Sequence, residues 1–267
     1  MTIDFDTPMT FYELLAIILA VIAIIIPILQ WIWKKWVIKP VLNHLITGRA
    51  FLFINRSGSY MQIEGVYDAQ NKPILIRKIS LKLIRKKDDK ALNLAWSIFV
   101  SPINQQFVGN FASTTEMAHP FRIEQNSMVS AFTQFSDSFN SSERTFHPFY
   151  EKLEKEASKF INSEYSYDEA LQEYTKTNTY ETALSALQKE LFWEIGKYRA
   201  TLQVEYDHKT TNFIYEFEIN AETSDLLSHN VKETLIAPLK DIYKVPYSFK
   251  SVQVELREDT DKRRTCN

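Results

Sequence analysis

The chain has 267 residues, 45% of them hydrophobic and 13% aromatic, enough for an apolar anchor and a folded domain with a core of its own. With 31 basic against 33 acidic residues, the net charge of −2 excludes a global electrostatic drive toward nucleic acid. A single cysteine, Cys266, excludes an intramolecular disulfide, and five glycines with nine prolines exclude long low-complexity linkers.

From Leu14 to Leu29 the residues are uninterruptedly apolar, and Pro27 is the one among them that disturbs a helix. With Phe11, Tyr12, Ile32 and Trp33 the stretch reaches the roughly 20 residues that carry a helix across about 30 Å of hydrocarbon. Trp31, Trp33 and Trp36 then interleave with Lys34, Lys35 and Lys39. Indole rings favour the headgroup region and lysines snorkel toward water, so these six residues are the expected membrane interface. A cleaved signal peptide would begin basic and end at small residues, whereas this segment begins with Asp4, Asp6 and Glu13 and ends bulky and basic. The lysines lie only after the span. The positive-inside rule therefore predicts a single-pass protein of the inner (plasma) membrane, N-terminus outside and the bulk of the chain cytoplasmic. Residues 1–39 form this anchoring unit.

After Pro40 short alternating runs replace the continuous apolar pattern, and residues 40–256 read as one α+β domain, an antiparallel β-sandwich with a helical insertion. Val41–Ile46 and Ala50–Ile54 are expected as two strands across a turn at Gly48. Another strand ends near Tyr67, and Asn71-Lys72-Pro73 signals a turn. Ile74–Ile84 and Leu92–Val100 form a hairpin with its tip at Lys86–Lys90, and Phe121–Glu124 and Ser127–Phe135 add strands. From Phe149 to about Gly196 the apolar residues recur at helical spacing, with Asp168 and Thr179 as expected caps. Arg199–Tyr206 and Phe213–Ile219 return to strands. A helix from about Ser224 to Tyr243, broken near Pro238, precedes a strand at Phe249–Leu256, and the charged residues 257–267 read as a disordered tail.

The sequence Gly196-Lys197-Tyr198 ahead of an alternating strand resembles the tyrosine corner of immunoglobulin-like sandwiches. The resemblance implies a structural Tyr198 whose hydroxyl bonds an upstream carbonyl. As a whole the chain loosely resembles single-span bacterial membrane proteins with a cytoplasmic β-sandwich of the immunoglobulin-like kind. Ile28-Leu29-Gln30-Trp31-Ile32-Trp33-Lys34-Lys35 and Asn55-Arg56-Ser57-Gly58 carry that resemblance, which implies a location and no particular activity.

The search for chemistry returns no catalytic residue, metal site or cofactor site. His44, His119, His147, His208 and His229 are scattered, no phosphate-binding glycine loop occurs, and no Gly-x-Ser-x-Gly elbow is present. Arg77, Lys78, Lys82, Arg85, Lys86, Lys87 and Lys90 fall on one hairpin, with Lys78, Lys82, Arg85, Lys86 and Lys87 as the candidate patch and two readings open. They are a solvated face guarding a strand edge, or a patch facing anionic lipid. Phe107, Phe111 and Phe139 lie in loop-like stretches and would mark a contact site if exposed together.

The expected function is a membrane-tethered interaction or scaffold domain without enzymatic activity, whose partners are the lipid bilayer and a protein, with no nucleic acid. Two alternatives stand beside it: an accessory or effector subunit of a membrane complex, for example in stress or phage defence, that oligomerises through its anchor, and an enzyme whose site assembles from distant residues.

Overall fold

The computed structural model describes residues 10–55, 58–107, 110–137, 142–161 and 163–259. Helix α1, Phe11–Ile32, starts at a capping box: the Thr10 hydroxyl accepts the Glu13 N–H, and the Glu13 carboxylate accepts the Thr10 N–H at 2.8 Å. The helix runs through Pro27 and then widens into a π-helical turn, Trp33–Val37, in which Ile38 N–H donates to the Trp33 carbonyl at 3.1 Å. No residue of either segment is buried.

The rest is antiparallel sheet with helices gathered at one end. Strands β1 (Val41–Asn55), β2 (Gly58–Gln70), β3 (Ile74–Arg85), β4 (Ala91–Phe107), β5 (Asn110–Met117), β6 (Phe121–Ile123) and β7 (Ser127–Ser136) come first. Helices α2 (Ser142–Ser158), α3 (Tyr167–Thr175) and α4 (Asn178–Glu190) lead to β8 (Gly196–Tyr206) and β9 (Lys209–Ile219). Helix α5 (Ala221–Tyr243) precedes β10 (Val252–Glu255) and β11 (Arg257–Glu258). The domain is α+β behind an N-terminal apolar helix, in line with the sequence. Its hydrogen bonding does not follow two stacked immunoglobulin-like sheets. One sheet runs in the order β10-β1-β2-β7-β4-β3-β8-β9-β11, with β5 paired to β4 and β6 to β3.

The two ends of that order are neighbours in the chain, separated only by Leu256. β10 pairs β1 (Leu52 opposite Val252) and β11 pairs β9 (Glu216 opposite Arg257), so this segment curls the sheet into a nearly closed barrel. Arg257 and Glu258, expected in a disordered tail, are therefore part of the seam. Strand alternation could not distinguish the two arrangements, because a barrel and a sandwich both bury every second residue. Gly48 is where β1 meets the seam. The chain there is one bulged strand rather than two: the register jumps between Ile46 and Ala50, Gly48 adopts φ +82°, and its carbonyl accepts Leu256 N–H at 2.9 Å.

The alternate residues that point inward fill the barrel, among them Leu52, Ile63, Tyr67, Leu81, Leu83, Leu202, Val204 and Phe135, all buried. The two ends of the barrel differ. At one end lie Val41 at the start of β1, Gln70 opposite it, the turn to Ile74, the turn before Ser127, and the Asp207-His208 hairpin turn beyond Tyr206, whose strand partner is Ile76. Asp207 and His208 both have positive φ, the geometry of a two-residue hairpin that follows strand twist. At the other end the chain leaves β7 for α2, returns from α4 into β8, and leaves β9 for α5. β3 spans the two ends, and its 12 residues at about 3.3 Å each make the separation roughly 35 Å.

The helices share a second core: Leu153 and Ala157 of α2, Ala170 and Tyr174 of α3, Tyr180 and Ala183 of α4, Leu235 and Leu239 of α5. α3 and α4 are capped by Ser166 and Thr177, each two residues before the expected Asp168 and Thr179. α5 continues through Pro238 instead of breaking there. The fully buried Leu235 and Leu239 flank the proline, and their packing offsets the lost backbone donor.

Candidate functional site

The helix exit and the barrel rim beside it form the first candidate. Trp31, Trp33, Lys34, Lys35, Trp36 and Lys39 are all exposed, and the Lys35 ammonium lies 4.8 Å from the centre of the Trp31 ring, a cation–π distance. The exit is bonded to the domain by the β2–β3 turn. Lys72 Nζ donates to the Lys35 carbonyl at 2.8 Å, and Asn71 Nδ2 donates to the Lys39 carbonyl at 3.2 Å. Asn71 has φ +70°, a conformation asparagine tolerates in turns, and its N–H donates to Asn126 Oδ1 at 3.1 Å. Two rim turns and the last residues of the helical segment are thereby joined. Asn71 and Lys72 read as a turn in the sequence. What no pattern revealed is that the turn satisfies carbonyls left open at the helix end.

The basic hairpin goes elsewhere. β3 begins next to the exit, so Arg85, Lys86 and Lys87 lie at the opposite, helix-covered end. Arg85 is buried: Nη2 pairs with Asp88 at 2.6 Å and Nη1 with Glu194 at 2.7 Å, and Nη1 also donates to the Phe192 carbonyl. The Arg85 fork holds the Asp88 carboxyl down at about 2, mainly through their hydrogen bond. Lys86 pairs with Glu216, Lys87 with Glu194 at 3.7 Å, and Lys78 with Glu205 at 4.0 Å; Lys82 is exposed. This placement separates the hairpin tip from the helix exit by the length of the barrel. β3 lies between β4 and β8 instead of at a sheet edge, Arg85 is buried, and Lys78, Lys86 and Lys87 are held in ion pairs.

Tyr198 lies beside this cluster. Its hydroxyl is 2.6 Å from the Glu194 carbonyl and 3.1 Å from that of Phe192, and it accepts Glu194 N–H at 2.7 Å. Its ring stacks on Phe217 with centroids 5.0 Å apart, and Trp193 packs across both. Burial pushes the Tyr198 phenol up to about 12, so the hydroxyl stays neutral and able to donate. The residue locks the passage from α4 into β8.

Inside the barrel, three residues on from Val41 at the start of β1, His44 packs on Tyr67 at 4.5 Å between ring centres and shares a 2.7 Å hydrogen bond between Nδ1 and the Tyr215 hydroxyl. Its ring lies against Gly65, where a Cβ would come within 2.3 Å of Nε2. His44 Nε2, Tyr67 Oη and Thr133 Oγ1 are buried without a hydrogen bond of good geometry. Burial lowers the imidazole to about 4 and raises both phenols, so every member of the cluster is neutral at pH 7. As a scattered single histidine, His44 carried no signal in the sequence.

One grouping looks catalytic until its protons are assigned. His229 Nε2 lies 3.2 Å from Ser248 Oγ, and Ser248 Oγ donates to Glu233 Oε2 at 3.0 Å. Yet Nε2 is also 3.2 Å from the Ser248 carbonyl, which only accepts, so this nitrogen carries the proton and cannot take one from the serine. Glu233 pairs with Lys240 and accepts Ser248 N–H at 2.8 Å. Burial alone would raise the Glu233 carboxyl, but the ammonium and the two Ser248 donors more than offset it and leave it low. Asn230 completes the arrangement by exchanging two 2.7 Å hydrogen bonds with the Lys250 backbone. These side chains clamp the segment that delivers β10 to the seam. Among the described residues, no three His, Cys, Asp or Glu side chains converge as metal ligands. Phe107 and Phe111 lie on the β4–β5 hairpin, and Phe139 falls outside the described residues.

No family model and no curated protein matches the chain. Among solved structures it is similar to a family 123 glycoside hydrolase from Clostridium perfringens, at 11% identity and a TM-score of 0.30. The match covers 68% of this chain and 27% of that one. The chain thus spans about a quarter of the length of that enzyme, and no statement about activity follows from it.

Proposed function

We propose that this is a single-span membrane protein whose barrel domain stands on the cytoplasmic face and acts by binding a protein partner, without catalysis of its own. The observation that carries the proposal is the bonded junction between a bare apolar helix and the barrel rim. Phe11–Val37 has a mean hydropathy of 2.8 in its most apolar window and buries none of it, which leaves a surface that water does not tolerate at this size. The Trp/Lys sequence marks the exit, and the placement of all lysines after the span supports the N-out orientation. The Lys72 and Asn71 bonds then fix the domain against the exit instead of leaving it on a loose linker. A domain so held presents its helix-covered end away from the bilayer, and tethering raises its local concentration toward any membrane-bound partner. The side-chain groupings that resemble chemistry are committed to holding the fold, which supports a binding role.

The test is topology and then partnership. With Cys266→Ser in place, Lys87→Cys in intact cells should resist a membrane-impermeant maleimide and react only after permeabilisation. Labelling of intact cells would place the barrel outside and overturn the orientation. A stoichiometric partner recovered from native membranes with the full chain, and absent from the anchor-deleted domain, is the expected companion result.

A further inference from the structure

The rim beside the helix exit presents a second basic cluster that sequence proximity does not assemble. The turns at Asn71-Lys72 and Asp207-His208 bring Lys72, Arg77 and Lys209 to the end of the barrel where Lys34, Lys35 and Lys39 leave the helix. Arg77 sits at the register break of β3 between Ile76 and Lys78, exposed, and Lys209 is the first, exposed residue of β9. Among the described residues none of these six cations is in an ion pair, whereas the neighbouring Lys78 and Arg122 are matched by Glu205 and Glu124. The carboxylates at the same end do not cancel them: Asp68 is buried and accepts from Asn43 and Gln70, Glu205 and Glu124 are taken by Lys78 and Arg122, and Asp207 is a single acid against six cations. Apolar side chains stand among these cations, Met128 being 64% exposed, Val41 40% and Leu75 38%. The chain as a whole carries −2, so this concentration of positive charge is local to the rim.

We propose that this rim is itself a membrane-contact surface that seats on anionic lipid headgroups, with Met128, Val41 and Leu75 dipping into the interface. The inference rests on the reading of α1 as a membrane span and adds a lipid class to it. Lysine and arginine near a bilayer draw on the negative surface potential of anionic lipids, which decays within a Debye length. The Lys72 bond to the Lys35 carbonyl holds the rim inside that range. An uncharged bilayer offers the same hydrocarbon to α1 but no potential to the rim. The span therefore inserts in either lipid, and only the seating depends on headgroup charge.

The experiment uses the full chain with Cys266→Ser, carrying an environment-sensitive fluorophore on Met128→Cys or, as the far-end control, on Lys87→Cys. Each is reconstituted into nanodiscs of phosphatidylcholine alone or mixed with phosphatidylglycerol. Quenching by a lipid-attached quencher should rise at least about twofold at position 128 on adding the anionic lipid and not at 87, and high salt should reverse it. Arg77→Glu with Lys209→Glu, which leaves the Lys72 and Asn71 bonds intact, should abolish the rise without reducing incorporation. If disc-embedded protein shows position 128 as water-exposed as position 87 in anionic lipid, rim contact is wrong and the tether stands. If the chain does not enter discs of either composition, the membrane reading fails and the rim proposal falls with it.

Discussion

The two ends of the barrel carry similar numbers of basic residues and use them in opposite ways. At the helix-covered end Arg85 is buried between Asp88 and Glu194, Lys86 meets Glu216, and Lys87 meets Glu194. There the charges hold elements together. At the helix-exit rim Lys34, Lys35, Lys39, Arg77 and Lys209 are exposed outside any ion pair among the described residues. The role of a basic stretch is thus set by where topology sends it. The cations that the sequence places on one hairpin go mostly to the helix-covered end, while the rim cluster comes from the helix exit, a turn, a strand bulge and a hairpin spread over more than half of the chain.

Three perturbations sharpen the contrast. The largest effect is expected at the helix-covered side, from Glu233→Ala. It leaves the Lys240 ammonium, 7% exposed, without its partner and frees Ser248. Breaking such a buried pair costs roughly 3–5 kcal/mol, and the Glu233→Leu/Lys240→Met double variant should regain much of it. Chemical unfolding of the purified protein measures both, and a single variant within about 1 kcal/mol of wild type would remove the clamp from the account.

Next in size is a pH effect from inside the barrel. The unfolded His44 imidazole titrates at 6.5 and the folded one, desolvated, at about 4. Between those values the unfolded chain binds more protons, so this contribution is complete above pH 6.5 and is lost as the pH falls toward 4. The full loss is roughly 3 kcal/mol. Replacing His44 with Phe should flatten the stability profile over that window. An unchanged slope would mean that other groups carry it. Smallest is the effect of reversing the hairpin charges with Lys82→Glu, Lys86→Glu and Lys87→Glu. Exposed pairs are worth about 0–1 kcal/mol each, so stability should shift little, and lipid seating of the rim label should not change. Loss of seating in this variant would restore the hairpin as a membrane contact and invert the comparison.

The sequence made local structure readable where one side of the chain decides it. Alternation at Ile74–Ile84 and the turn at Asn71-Lys72-Pro73 depend on nearest neighbours, and both are present. Gly48 reads as a turn in the sequence because glycine serves turns and bulges alike. The choice between them was made by Leu256, whose N–H bonds the Gly48 carbonyl from the far part of the chain. Pro238 reads as a break because helix propensity ignores the burial of Leu235 and Leu239. Arg85 reads as surface charge, since nothing near it in the chain announces Glu194. The candidate site was legible only in its first half. Trp31 to Lys39 announce themselves by composition, whereas Arg77 and Lys209 join them only through the pairing of β3 with β8 and the turn into β9.

The seam has a consequence for how the molecule is made. β1 is the first strand to leave the ribosome and finds β2 at once, but its other edge waits for β10, and Arg49 faces Glu255. Roughly 200 residues separate those strands, so at about 5–20 residues per second the gap lasts on the order of 10–40 s. During that interval the open edges of β1 and β9 are those best able to capture a stray strand from a neighbouring nascent chain. Synthesis beside other copies of the same nascent chain is thus the moment of greatest exposure to strand exchange. Shielding by chaperones would matter most just before residues 252–258 emerge.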